Sequence, residues 1–284
     1  MKKYLTFPNF MLAVGLLFLY IPIFSMVLYS FNNSRLVTVW DHANSPTLKW
    51  YAELFRNRAM LEAAWLSIRV AAMSASAAVV LGTLAGLVLA RFGPFRGRAL
   101  LQGLTTAPLV MPEVITGLSM LLLFVSLESV LAAFGIRFGR GILTITLAHI
   151  TFTMAYVTVI VQSRLATFDD SLEEAALDLG ARPAKVFFRI TLPLIMPAIL
   201  SGWLLAFTLS WDDVVVTQFV SGPGYNTLPM VVFSSVRRGV NPSVNALATL
   251  MVLVVAAGVV VSAVFMKRAE KKRERETRLA EAGL

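Results

Sequence analysis

The stretch DDSLEEAALDLGARPAKVFFRITLP, residues 169–193, is an acid-led, alanine-rich and then basic run in the middle of a chain that is otherwise largely apolar. Its local chemistry is definite. Ser171 followed three residues later by Glu174 has the spacing of a capping box, in which hydroxyl and carboxylate satisfy each other's backbone amides. Asp169, Asp170, Glu173 and Glu174 put negative charge where a helix dipole is positive. Leu172, Ala175, Ala176 and Leu179 share one helical face, and Gly180 is the residue best suited to a left-handed position just past the end. Arg182-Pro183 then opens a second short helix, with Pro183 in its first turn and Val186, Phe187 and Ile190 along it. The segment is predicted to be a helix, a glycine elbow and another helix, held in water between membrane spans.

Those spans are read directly from composition. Of 284 residues, 57% are hydrophobic and 14% charged, and the mean hydropathy is +0.75. A helix needs about 20 apolar residues to cross about 30 Å of hydrocarbon. Six runs qualify, at about 8–31, 63–90, 100–127, 142–163, 194–219 and 243–266. The expectation is an all-α integral membrane protein with one transmembrane domain, 1–266, whose longest internal cytoplasmic connection is 164–193, followed by a basic tail, 267–284. The first run is too long for a cleaved leader and reads as an anchor.

With both termini cytoplasmic, the inner segments hold 16 of the 25 Lys and Arg residues. The net charge of +9 therefore reads as a positive-inside signal rather than a nucleic-acid footprint. The tail KRAEKKRERETR, 267–278, suits membrane lipid headgroups. Outside, SPTLKWYAELF (45–55) reads as a short surface helix with Ser45 or Thr47 near its cap, and Trp40, Trp50 and Tyr51 suit an interfacial belt. In the second span Gly82 and Gly86 sit four apart among other small residues, which lets a neighbouring helix approach closely. The chain has no cysteine and two histidines, His42 and His149. Neither has a partner at ligand spacing, so no metal site is expected.

Ionisable groups inside a membrane are costly and are functional candidates by default. In the third span, TTAPLVMPEVITGLSM (105–120) puts Glu113 near the midplane beside Pro108 and Pro112, whose missing N–H groups bend or break a helix. In the fifth, AFTLSWDDVVVTQF (206–219) puts Asp212 and Asp213 toward the outer end. Adjacent helical residues point about 100° apart, so one is expected to face a pathway and the other a neighbour, a helix break to cap, or Arg237 or Arg238. Carboxylates at two depths with no basic residue between them suit a cation. Thr105, Thr106, Thr116, Ser119, Thr208 and Ser210 could accept hydrogen bonds, and Trp203, Trp211 or Tyr225 could offer a π face to an ammonium group.

From Glu174 the chain reads EAA, three residues, G, nine residues, I, one residue, LP. This spacing resembles the EAA loop of the permease subunits of bacterial ABC importers. The resemblance implies a type I ABC importer permease fold whose coupling helix, through Glu174, Ala175, Ala176, Leu179 and Gly180, seats on a cytoplasmic ABC ATPase dimer. ATP and Mg would be bound there, with no cofactor in this chain and no enzymatic activity of its own. In keeping with this, no Gly-Lys pair occurs, so no GxxxxGK[ST] phosphate loop exists.

FNNSRLVTVW (31–40), APLVMPEVITGLSMLLLF (107–124), SGWLLAFTLSWDDVVVTQFVSGPGYNTLPMVVFSS (201–235) and RRGVNPSVNALATL (237–250) are similar to the corresponding segments of polyamine importer permeases. That implies a bacterial inner-membrane subunit carrying a polyamine, putrescine or spermidine. It also implies a second, homologous permease and a periplasmic polyamine-binding protein that docks near 220–242. Two other readings stay open: an ABC importer of another small solute, such as an amino acid, iron or thiamine, and a stand-alone proton-coupled cation carrier.

Overall fold

The computed structural model describes residues 7–34, 36, 39–167, 169, 171–238 and 242–281. Among these every regular element is a helix: α1 (Phe7–Tyr29), α2 (Lys49–Arg56), α3 (Arg58–Arg91), α4 (Arg98–Val110), α5 (Glu113–Ala133), α6 (Ile142–Ala166), α7 (Ser171–Asp178), α8 (Pro183–Val186), a π turn (Phe187–Thr191), α9 (Leu192–Asp212), α10 (Val215–Val220), α11 (Leu228–Arg238) and α12 (Pro242–Glu281). Six of them, with α8, the π turn and α9 running on as one rod, are long and apolar enough to cross a membrane. The chain packs as two compact units, residues 1–61 with 234–284, and residues 62–233.

In the first unit α1 and α2 pack on α12. Helix α2 is the surface helix expected from SPTLKWYAELF, and Trp50 and Leu54 are its buried side. The Trp50 indole N–H donates to the Asn32 carbonyl at 2.6 Å, so this ring belongs to the interior of the unit and not to an interfacial belt. Thr47 Oγ1 accepts from the Lys49 amide at 3.2 Å. Ser45 is turned away from the helix and accepts from the Asn33 amide at 2.9 Å.

The second unit is built around α6, which packs against α4, α9 and α10. Ile145, Val157, Val161, Leu165 and His149 of α6 are wholly enclosed. Helix α3 lies against it at the small-residue positions. A Cβ on Gly82 would sit 2.8 Å from that of Val157, and one on Gly86 3.1 Å from the Thr158 carbonyl oxygen, so the backbones are as close as only glycine permits.

Two expected spans and the knuckle between the fourth and fifth differ from what is observed. The run at 100–127 is two helices, because Pro112 has no N–H to give and forces Met111 out of the helical region, to φ −79° and ψ 135°. Glu113 is therefore the first residue of α5 rather than a mid-helix residue. The run at 194–219 is also broken, since Asp213 is extended, with φ −64° and ψ 128°, and α10 restarts at Val215. Lastly, the second half of the 169–193 knuckle is not a separate helix. It continues through the π turn into α9, whose prolines at 193 and 197 lie in a first turn and an interior turn that tolerate them.

Candidate functional site

Both helix breaks open onto one place. Pro108 and Met111 of the first break, Glu113 and Thr116 of α5, Phe152 and Tyr156 of α6, and Leu209 and Asp212 to Val216 of the second break line a cavity of about 360 Å³. All its charged lining groups are carboxylates: Glu113, Asp212 and Asp213. Glu113 and Asp212 are exposed to it, and the charges of Glu113 and Asp213 both act on Asp212. The two broken spans thus bring three carboxylates to one hollow, and a cavity is where backbone groups freed by a broken span are tolerated.

Asp213 does different work from its neighbour. Its side chain is 6% exposed. It accepts from the amides of Val216 and Thr217, at 3.2 and 2.7 Å, and from the Thr217 hydroxyl at 2.6 Å. That is the pattern of an N-cap, and it fixes the entry to α10. His149 Nε2 lies 3.3 Å from the same carboxylate and 2.9 Å from Thr217 Oγ1, while its Nδ1 meets Ser210 Oγ at 2.6 Å. The network is satisfied throughout if Nε2 carries the proton and Nδ1 accepts from Ser210, an assignment made from its partners. The break in the fifth span is therefore held by a buried polar knot, and Asp212 is the acid left facing the cavity.

Other expected residues fall elsewhere. Trp211 is 7% exposed and continues a stack in which Trp203 and Phe207 are 5.3 Å apart and Phe207 and Trp211 5.7 Å. Tyr225 covers Gly141. The aromatic faces on the cavity are instead Phe152 and Tyr156, one helical turn apart on α6. Of the expected hydroxyls, Thr116 lines the cavity. Thr105, Thr106 and Thr208 donate back to carbonyls of their own helices, and Ser210 is engaged by His149. In the segment at 220–242, expected to be external, the Val220 carbonyl accepts from Thr144 at 2.8 Å; residues 239–241 lie outside the described residues.

The second candidate surface is α7. No residue of the helix is buried, and Leu172, Leu177 and Leu179 are 51%, 44% and 89% exposed. The glycine elbow has the expected form. Gly180 has φ +80°, its amide donates to Leu177 at 2.9 Å, and the Ala181 amide donates to Ala176 at 3.0 Å, the paired bonds of a Schellman ending. The start differs from the capping box. Ser171 is already helical, and its amide donates at 3.0 Å to Asp169; Asp170 lies outside the described residues. The Ser171 amide, and then its side chain, hold the Asp169 carboxyl below its ordinary value. An acid with a depressed folded pKa stabilises above its unfolded pKa and loses that contribution as pH falls through the folded value, so this cap is in force at neutral pH.

At the foot of the knuckle, Glu173 accepts from the Thr191 hydroxyl at 2.5 Å and pairs with Arg91 Nε at 3.4 Å. The spacing of the sequence did not reveal this contact.

Comparison with known proteins places the chain in a family. The chain is 57% identical over 272 residues to the putrescine transport system permease protein PotI of Escherichia coli strain K12, covering 96% of this chain and 95% of that one. It is 40% identical over 260 residues to the spermidine/putrescine transport system permease protein PotC of Haemophilus influenzae, covering 92% and 96%. Among solved structures, a chain of a bacterial ABC transporter involved in import of the acidic polysaccharide alginate superposes with a TM-score of 0.70 at 16% identity, over 91% of this chain and 92% of that one. A chain of the inward-facing MetNI methionine ABC transporter gives 0.60 at 15% identity, over 74% and 95%. These likenesses establish the six-span fold as that of type I ABC importer permeases. Residues 78–275 match the profile of the binding-protein-dependent transport system inner membrane component, and the chain belongs to that family.

Proposed function

We propose that this chain is one of two homologous membrane subunits of an ATP-driven importer of polyamines, with putrescine as its principal substrate. Both termini lie in the cytoplasm, α7 seats on a partner ATPase dimer that binds ATP and Mg, and a periplasmic polyamine-binding protein delivers substrate to the outer side near 220–242. The observation that carries the reading is the cavity between the two broken spans. It offers Glu113 and Asp212 as carboxylates, Phe152 and Tyr156 as ring faces, and no basic lining residue. An alkyl diammonium ion suits such a lining, because the carboxylates meet its charge and the rings meet both its methylenes and its charge. The two curated relatives transport putrescine or spermidine and putrescine by name, and this is in accord.

Alternating access then requires that the cavity face the binding protein when the ATPase is closed and the cytoplasm when it is open. Exposed leucines and alanines on α7 provide an apolar patch, and Glu174 and Arg182 a polar rim, of the kind that buries against a partner. The test is uptake of labelled putrescine by cells in which this chain replaces the only polyamine permease of its kind. Glu113→Gln and Asp212→Asn are each expected to lower uptake roughly ten- to a hundredfold, the loss of one charge-assisted contact, with the complex still assembled. Normal uptake in the double variant would remove both acids from the pathway.

A further inference from the structure

Helix α7 is exposed on nearly every side, so force received there reaches the membrane only through its attachments. Glu173 and Ala176 are the two residues of α7 turned toward the protein, and Glu173 is the one with a charged grip. Its two carboxylate oxygens go to different elements. Oε1 takes the hydroxyl of Thr191, 3% exposed, at the end of the π turn. Oε2 faces Nε of Arg91, the last residue of α3. One side chain therefore ties the exposed helix both to the inner end of the second span and to the foot of the fifth. The foot of the fifth span is π-helical, and such turns interrupt the regular bonding of a helix and recur at functional positions.

We propose that Glu173 is a positioning residue for transport: with Arg91 and Thr191 it forms the linkage by which movement of α7 turns α3 and α9 together. The inference rests on the reading of α7 as the ATPase-docking helix, but it concerns a different residue. Glu174, Leu179 and Gly180 are exposed, as docking residues must be, whereas Glu173 is turned inward onto Arg91 and Thr191. Loss of the clamp leaves docking and hydrolysis in place and lets the knuckle move without the spans. Charge-assisted contacts held between two packed elements are the ones worth most, and both side chains here are 19% exposed, well shielded from water.

The experiment uses the whole complex in proteoliposomes and two measurements. The first is putrescine imported per ATP hydrolysed in proteoliposomes. The second is the distance distribution between spin labels at Asp178→Cys and Arg96→Cys, exposed positions in a chain with no cysteine of its own. Glu173→Ala is expected to keep the ATPase bound, to lower import per ATP by about tenfold, and to broaden the label distances. Glu173→Gln, which can still accept from Thr191, falls between Glu173→Ala and the parent. The swap Glu173→Arg with Arg91→Glu restores both readouts in part. Unchanged import per ATP and unchanged label width in Glu173→Ala would overturn the linkage, as would a swap no better than either single change. Absence of ATP-driven uptake by the parent complex would overturn the transport reading instead, and the label widths would still decide the clamp.

Discussion

Asp212 and Asp213 are neighbours in sequence with opposite surroundings, and the difference makes a sharp prediction. Asp213→Ala removes an N-cap, worth about 0.5–2 kcal/mol, and leaves His149 and Thr217 with a lost acceptor in a buried site, at about 1–3 kcal/mol more. Its expected outcome is a lower melting temperature of the purified chain in detergent. Asp212→Asn, on the cavity wall, is expected to melt with the parent while losing uptake; equal melting of both variants would contradict the division of roles. Both acids stood out in the sequence because lipid makes any carboxylate costly, and so did Glu113. A division of roles between the adjacent pair was legible too, but not which acid takes which role, since the partner that draws Asp213 inward is His149, more than 60 residues earlier. A lone histidine followed by Phe152 and Tyr156 at spacings of three and seven is one helix face with a polar node and two rings. That spacing is a signal for a buried polar node, and metal-ligand spacing is blind to it. Trp211 misled for the complementary reason: a π face near an acid is useful only where the ring is not already stacked.

At the scale of elements, glycines and prolines set both what could be read and what could not. The elbow at Gly180 was legible because an acidic start, an apolar face and a glycine agree on one local geometry. Gly180→Ala is expected to cost about 1 kcal/mol through its positive φ, and to loosen co-purification of the ATPase more than a substitution at the exposed Ser171 does. Equal retention of the ATPase by the two would count against α7 as the docking element. The close approach of α3 and α6 was likewise foreshadowed by Gly82 and Gly86. At Gly117 the requirement was invisible, because it arises from Phe219 of α10: a Cβ there would lie 2.6 Å from the ring. Gly117→Ala is expected to destabilise by about 1–3 kcal/mol, as overpacking does, and to be relieved by Phe219→Leu; a thermal melt of the two variants checks this. Where the spans break was half legible. Pro112 announces a break, whereas Asp213 makes one by capping, and a carboxylate's choice between cap and cavity depends on what the fold brings beside it.

For the whole molecule, the six apolar runs and the EAA spacing make the fold legible in the sequence, since hydropathy and a 20-residue motif are both local. The meeting of the third and fifth spans at one carboxylate-lined cavity is a tertiary fact, and it turns a list of intramembrane acids into a site. In the proposed function, ATP hydrolysed beneath α7 drives a polyamine cation past Glu113 and Asp212. The most direct test is uptake of labelled putrescine by proteoliposomes holding the purified complex, with ATP supplied on the α7 side and the binding protein on the other. Uptake is predicted to require ATP, to be indifferent to an imposed proton gradient, and to fall at least about tenfold in the Glu113→Gln, Asp212→Asn double variant. Uptake that runs on a proton gradient without ATP, or that survives loss of both carboxylates, would contradict it.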